Sequence, residues 1–128
     1  GKIVETVGFC QREDYPGIAL SPDGLIKNGK KYTEALEIKC LSSANHIQAW
    51  LTDEVPKDYY PQAVQYFIVN DDLQTLYFVL YDPRVTVRPL VIIELHREDI
   101  ELDINAYREL QIEFLNELDK KLEAIITL

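Results

Sequence analysis

The sequence predicts an α+β domain in which helices pack on a central mixed sheet, and three observations carry that expectation. Apolar residues alternate with a period of two up to Cys40 and again after Asp72; between those regions they recur every three or four positions; a third stretch of helical period closes the chain. The order is therefore βββ-α-α-ββ-α. At 128 residues, 47% hydrophobic and 27% charged, the chain has the size and balance of a single domain, 1–128, with one core.

Taken in order, residues 2–9 alternate loosely and predict a first strand, and Gln11 to Gly17 a polar turn. A second strand over about residues 18–21 leads into Ser21-Pro22-Asp23-Gly24-Leu25, a turn in which Pro22 fixes φ and Gly24 permits φ > 0. The third strand, from about Thr33 to Cys40, sets Leu36, Ile38 and Cys40 on one face and Glu37 and Lys39 on the other, roughly 7 Å apart. In the connector from Leu25 to Thr33, Asn28-Gly29 is a strong hairpin signal, so the three strands would form an antiparallel meander.

Ser42-Ser43 offers an N-cap for a helix from Ala44 to Leu51, which Val55-Pro56 breaks. From Lys57 to Asn70 a second helix covers the sheet with Tyr60, Ala63, Val64, Phe67 and Ile68, and Pro61 falls in its first turn. Strands over Leu73–Leu80 and Val87–Leu95 flank the turn Tyr81-Asp82-Pro83-Arg84. Asp103 is expected to cap a last helix, about residues 104–126, with Tyr107, Leu110, Phe114, Leu118, Leu122 and Ile125 as one apolar stripe.

A net charge of −9 argues against a chain that coats nucleic acid by bulk electrostatics. A nucleic-acid contact would be a local patch, to which Lys27, Lys30, Lys31, Lys39 and Lys57 contribute. Cys10 and Cys40 lack zinc or iron–sulfur spacing and are expected as buried free thiols. No apolar run approaches the ~20 residues of a membrane span, and the start lacks the blocks of a signal peptide. The expectation is a cytoplasmic protein without a membrane partner.

The chemistry-bearing residues gather at the hairpin. Pairing through Asn28-Gly29 would bring Asp23 beside Glu37, and two converging carboxylates suit a hard divalent cation, with Lys39 at the edge as a charge for a reacting phosphate. Plainer readings exist: Asp23 as a turn residue bonding its own backbone, and Glu37 as half of an exposed ion pair. Against the latter, Glu37 stands on an otherwise apolar strand, where an unpaired buried carboxylate costs several kcal/mol. Tyr59, Tyr60 and Tyr66 read as packing residues first and base-stacking platforms second. His46 and His96, with no ligand partner at i+3 or i+4, read as surface or capping residues.

Pro22-Asp23 followed by Glu37-Ile38-Lys39 resembles the P-D…(D/E)-x-K signature of the nuclease superfamily that includes many restriction enzymes. Four pieces in order resemble, within it, the phage lambda exonuclease and viral recombinase (YqaJ-type) family. They are Ser21-Pro22-Asp23-Gly24-Leu25, Leu36-Glu37-Ile38-Lys39-Cys40, the Tyr-x-x-Gln-x-x-x-Tyr pattern from Tyr59 to Tyr66, and Tyr81-Asp82-Pro83-Arg84. The resemblance implies a restriction-endonuclease-like core and a metal-dependent exonuclease acting 5′-to-3′ on double-stranded DNA ends, in phage recombination within a bacterial host. It implies Mg²⁺, with Mn²⁺ as substitute, held by Asp23, Glu37 and the backbone carbonyl of Ile38. Lys39 is then catalytic, and Gln62 positions the attacking water or the phosphate, with Gln65 as the alternative. Glu13 stands where the family places an additional acid.

By the same resemblance, a single-strand annealing protein and a homotrimer around DNA are the implied partners. The rival readings are a restriction-like or structure-specific endonuclease using the same residues, and a catalytically weakened nuclease fold that binds DNA or a partner. Family members begin with a helix that carries a further acid, preceded by end-recognising basic residues. Gly1-Lys2 opens directly on the first strand, so a shortened start and weak cleavage are expected.

Overall fold

Strict alternation builds the sheet. In the computed structural model, which describes residues 1–127, the elements run β1 (Cys10–Gln11), β2 (Ala19–Leu20), β3 (Gly24–Asn28), β4 (Lys31–Lys39), α1 (Ser43–Thr52), α2 (Tyr60–Val69), β5 (Thr75–Tyr81), β6 (Leu90–His96) and α3 (Glu101–Ile126). The main sheet has the order β3-β4-β5-β6, with β4 and β5 parallel and the other neighbours antiparallel, so it is mixed as expected. Leu76, Phe78 and Leu80 of β5, Val91 and Ile93 of β6, and Ala35 of β4 are all buried. Ala63, Val64, Phe67 and Ile68 of α2 complete the same core, joined by Ile18, Leu73 and Ile104. Each large side chain among them contributes roughly 1.5–3 kcal/mol by leaving water. The residues of opposite parity, Ile38, Tyr81, Leu90 and Ile92, stay about half exposed.

The start of the chain departs from the expected meander. Residues 2–9 are extended but form no strand: they make one bridge, Glu5 to Leu25, and Ile3 and Val4 remain exposed. With no partner strand along its length, loose alternation there has nothing to pair against. Cys10–Gln11 and Ala19–Leu20 instead form a separate two-stranded sheet. The β3–β4 hairpin is tighter than the expected connector, pairing Asn28 with Lys31 around Gly29, whose φ of 68° is the left-handed conformation that favours glycine. Gly24 does not take positive φ. It is small because a Cβ there would lie 2.4 Å from Val4 Cγ1.

Ser42 caps α1, its hydroxyl accepting the Asn45 N–H at 3.3 Å, and Pro61 sits in the first turn of α2. The third helix begins earlier than expected, so Asp103 lies inside its first turn and does not cap it. The Asp103 carboxylate accepts the Tyr60 hydroxyl at 2.5 Å, and burial followed by that carboxylate raises the Tyr60 phenol pKa. Of the expected stripe only Tyr107 packs, beside Ile104, Ile112 and Leu115 on the core; Leu110, Phe114, Leu118, Leu122 and Ile125 are exposed. A helix of 26 residues runs about 39 Å, well past strands of 7 residues that span about 23 Å, so its far half has no core to face. None of the described helices is long and apolar enough to cross a membrane.

Other expectations change through burial. Cys40 is exposed and Cys10 half-buried, both free. His46 is fully buried, its Nε2 at 2.8 Å from the Arg88 carbonyl, so it is a core histidine and not a surface one. The Tyr81–Arg84 turn is a tie. Asp82, 1% exposed, accepts the Ser43 hydroxyl at 2.6 Å and the Arg84 Nε–H at 2.8 Å, while the Arg84 guanidinium reaches the Leu41 carbonyl at 3.2 Å. Arg84, then Ser43, holds the Asp82 carboxyl well below the usual range. Such a group stabilises the fold fully above its unfolded pKa of about 3.9, and the contribution is lost as pH falls toward the depressed native value. Asp82→Asn should therefore lower the melting temperature by several degrees at pH 7, with the gap to wild type narrowing steadily below about pH 4. Thermal unfolding at pH 7, 4 and 3 reads this; a gap independent of pH would remove Asp82 from the tie.

Candidate active site

The β3–β4 register pairs Gly24 with Leu36, so Asp23, one residue before β3, stands next to Glu37. Its Oδ2 accepts the Ile38 N–H at 2.8 Å, fixing the carboxylate against the edge of β4. Glu37 is the more constrained partner. It shares the core-facing side of β4 with Ala35 and is 3% exposed. The alternation read from sequence holds, but the carboxylate side is the buried one and Ile38 on the other side is 47% exposed.

A buried carboxylate needs partners for both oxygens. Glu37 Oε2 accepts the Tyr66 hydroxyl, and Oε1 lies 3.2 Å from Lys39 Nζ. Tyr66 comes from α2 and is itself 1% exposed. Its oxygen also accepts the Asp23 N–H at 3.1 Å and lies 3.2 Å from the Leu36 carbonyl. One hydroxyl thus joins the Asp23 turn to the Glu37 carboxylate. Burial, and secondarily Glu37, pushes the Tyr66 phenol pKa well up, so it stays a proton donor.

Lys39 also lies over the Tyr59 ring, 5.3 Å from its centroid, and that ring leans on Phe78 at 6.3 Å. Tyr59, Gln62 and Tyr66 are spaced i, i+3, i+7 and share one side of α2. The outer two touch Lys39 and Glu37, and Gln62, half-buried, lies between them along the helix. Gln65 is committed elsewhere: its amide donates to the Ala19 carbonyl at 3.3 Å and accepts from Gln111 at 2.5 Å.

Asp23, Glu37, Ile38 and Lys39 are therefore brought together, and Gln62 lies one turn before Tyr66 on the helix that covers them. Glu13 stands apart, exposed on the β1–β2 turn, where it lines an open groove of about 850 Å³ that reaches Pro22 and Tyr66. Among the described residues no three His, Cys, Asp or Glu side chains converge on one point. Three lysines of the expected patch, Lys27, Lys30 and Lys31, stay together at the tip of the β3–β4 hairpin, while Lys39 and Lys57 lie elsewhere. Lys31 pairs with Asp72 at 3.1 Å and Lys27 covers the Tyr32 ring at 5.1 Å. Lys30 is exposed beside them, and Lys57 lines a separate cavity with Asp53, Glu54 and Glu94. Lys39 lies at the other end of β4 from Lys31, roughly 26 Å away.

Tyr66 is the site residue that sequence reasoning left as packing. Its position one turn after Gln62 was the available signal, but a tyrosine among Val64, Phe67 and Ile68 has the same pattern as a core residue. The donor set of the site is all oxygen: an exposed carboxylate from Asp23, a buried one from Glu37, and the Ile38 carbonyl between β4 residues that carry the charges. Those are ligands that suit a hard divalent cation.

The family model described as the YqaJ-like viral recombinase domain matches residues 1–72. Two crystal structures of the alkaline exonuclease LHK-Exo from Laribacter hongkongensis are similar over 95% of this chain. The complex with dAMP is 28% identical with a TM-score of 0.66, and the other structure is 30% identical with a TM-score of 0.64. The chain spans 65% of the length of LHK-Exo. No curated protein sequence matches it.

Tyr66→Phe should destabilise the fold by about 1–3 kcal/mol, because it strips Glu37 Oε2 of its donor and the Asp23 N–H of its acceptor in a buried setting. Urea unfolding measures this. A variant as stable as wild type would mean the hydroxyl does not organise the site.

Proposed function

The chain belongs to the family of YqaJ-like viral recombinase domains, and we propose that it is the core of a metal-dependent deoxyribonuclease, an exonuclease working 5′-to-3′ on the ends of linear duplex DNA. The observation that carries this reading is the joining of Asp23 and Glu37 through Tyr66, with the Lys39 ammonium against the same carboxylate. The similarity to LHK-Exo, named an alkaline exonuclease and crystallised with dAMP, supports a nucleoside 5′-monophosphate as product.

Asp23, Glu37 and the Ile38 carbonyl would hold the cation, Mg²⁺ with Mn²⁺ as substitute. When bound, it supplies charge stabilisation at the phosphate and lowers the pKa of a water. The protein residues do the rest of the work. As an ammonium, Lys39 holds the attacking water and offsets charge developing on the phosphate; it takes the water's proton only after giving its own to solvent. Gln62 orients that water or a phosphate oxygen. Tyr66 keeps the Glu37 carboxylate from turning back into the core. Glu13, which lines the groove that reaches Tyr66, is the further acid of this reading. Phage recombination in the cytoplasm of a bacterial host, a ring of three copies around the duplex and a single-strand annealing protein belong to the same proposal.

End-labelled linear duplex and covalently closed circles, each with Mg²⁺, test the reaction class. Loss of label from the linear form, with circles intact and with Glu37→Ala inert, is the expected result. Cleavage of circles would make the protein a restriction-like endonuclease, and inertness toward both a binding module. Lys39→Ala should keep the rise in melting temperature that millimolar Mn²⁺ gives, while cleavage falls about 100-fold or more. Substantial hydrolysis by Lys39→Ala would remove the lysine from the mechanism.

A further inference from the structure

We propose that Tyr59 is a positioning residue for Lys39: a divalent cation arriving at Glu37 displaces the Lys39 ammonium from that carboxylate, and the Tyr59 ring keeps the ammonium at the site. The inference rests on the metal-binding reading of Asp23 and Glu37.

The Glu37 carboxylate presents two oxygens. Both are occupied, Oε2 by the Tyr66 hydroxyl and Oε1 by Lys39 Nζ at 3.2 Å. Each oxygen keeps a second lone pair for a cation, but a divalent charge on this carboxylate weakens the hold of whichever partner it repels. Tyr66 is the poor candidate to leave, since it is 1% exposed and its oxygen also accepts the Asp23 N–H. Lys39 is the easy one. Its ammonium ends a flexible four-carbon stem, its side chain is 27% exposed, and its charge repels an incoming cation.

Displacement would send a free lysine into solvent unless something else retained it. The Tyr59 ring is already within reach, 5.3 Å from Nζ to the centroid, inside the range of a cation–ring attraction. Tyr59 is fixed at both ends. Its backbone begins α2, and its ring leans on Phe78, a fully buried residue of β5. The ammonium therefore sits between a carboxylate and a ring, and the loss of one leaves the other. Such an attraction corresponds to about 2- to 30-fold in an equilibrium. Lys39 thus competes with the cation for Glu37, and Tyr59 eases the exchange.

Isothermal titration of the protein with Mn²⁺, without DNA, reads both claims. Lys39→Gln should bind Mn²⁺ about tenfold more tightly than wild type. Tyr59→Leu should bind several-fold more weakly, Tyr59→Phe should match wild type, and in the Lys39→Gln background Tyr59→Leu should change nothing further. Should Tyr59→Leu fail to fold, proton NMR of the wild type gives a second reading. The Lys39 CεH₂ resonances should stay shifted upfield by the ring when Mg²⁺ saturates the protein. Equal or weaker binding by Lys39→Gln overturns the proposal, as does an undiminished Tyr59→Leu effect in the double variant or loss of the upfield shift. Mn²⁺ binding that Glu37→Gln leaves untouched would instead refute the metal site itself, and this inference with it.

Discussion

A carboxylate facing the core is the constraint from which the architecture around β4 follows. Glu37 stands on the buried side of the strand, opposite Phe78 of β5, and charge in that position is costly unless it is paired. The partners come from two directions. Lys39 arrives from the same strand because a period of two returns it to the same side, and Tyr66 arrives from the helix that covers the sheet. Tyr66 then passes the constraint on by holding the Asp23 backbone, so the turn before β3 and the last part of β4 are set by one side chain. Core and site share α2, whose Ala63, Val64, Phe67 and Ile68 pack beneath the same helix that presents Gln62 and Tyr66.

Much of this was legible in the sequence, and the illegible parts have physical reasons. The α+β class, the hairpin at Asn28-Gly29, the Ser42 cap and the proximity of Asp23 to Glu37 all depend on local signals: alternation, turn residues, a capping hydroxyl. What failed needed knowledge of partners. Residues 2–9 alternate as a strand would, but a strand needs a neighbour along its length and this segment has one bridge. Asp103 has the chemistry of a cap, yet Tyr60 takes its carboxylate from 43 residues away. The stripe on α3 has the right period, but only Tyr107 of it meets the core: Leu110 and Phe114 face away from it, and Leu118, Leu122 and Ile125 lie beyond Leu115, the last α3 residue packed on it. His46 looked like a surface histidine because burial of a single polar residue on a short helix leaves no periodic trace. Tyr66 was hidden for the converse reason, since it is buried like its neighbours and differs from them by one hydroxyl.

Electrostatics divide the surface in a way that composition did not suggest. Many of the cations are spent on local acids: Arg12 on Asp14 and Asp71, Lys31 on Asp72, Lys2 on Glu34. With a net charge of −9, the lysines that do gather, Lys27, Lys30 and Lys31, stand at the hairpin tip, at the far end of β4 from Lys39. Under the proposed function, the polymer would be held chiefly at the site, where Lys39 and a bound cation sit together, and hold there would weaken with salt.

The most direct test is anomalous diffraction from a crystal soaked in Mn²⁺. The account predicts a peak within about 2.0–2.6 Å of the carboxylates of both Asp23 and Glu37 and of the Ile38 carbonyl oxygen, the range of hard cations on oxygen ligands. A peak that appears elsewhere, for example at Asp71 and Asp72, or none at this pair at saturating Mn²⁺, would contradict it.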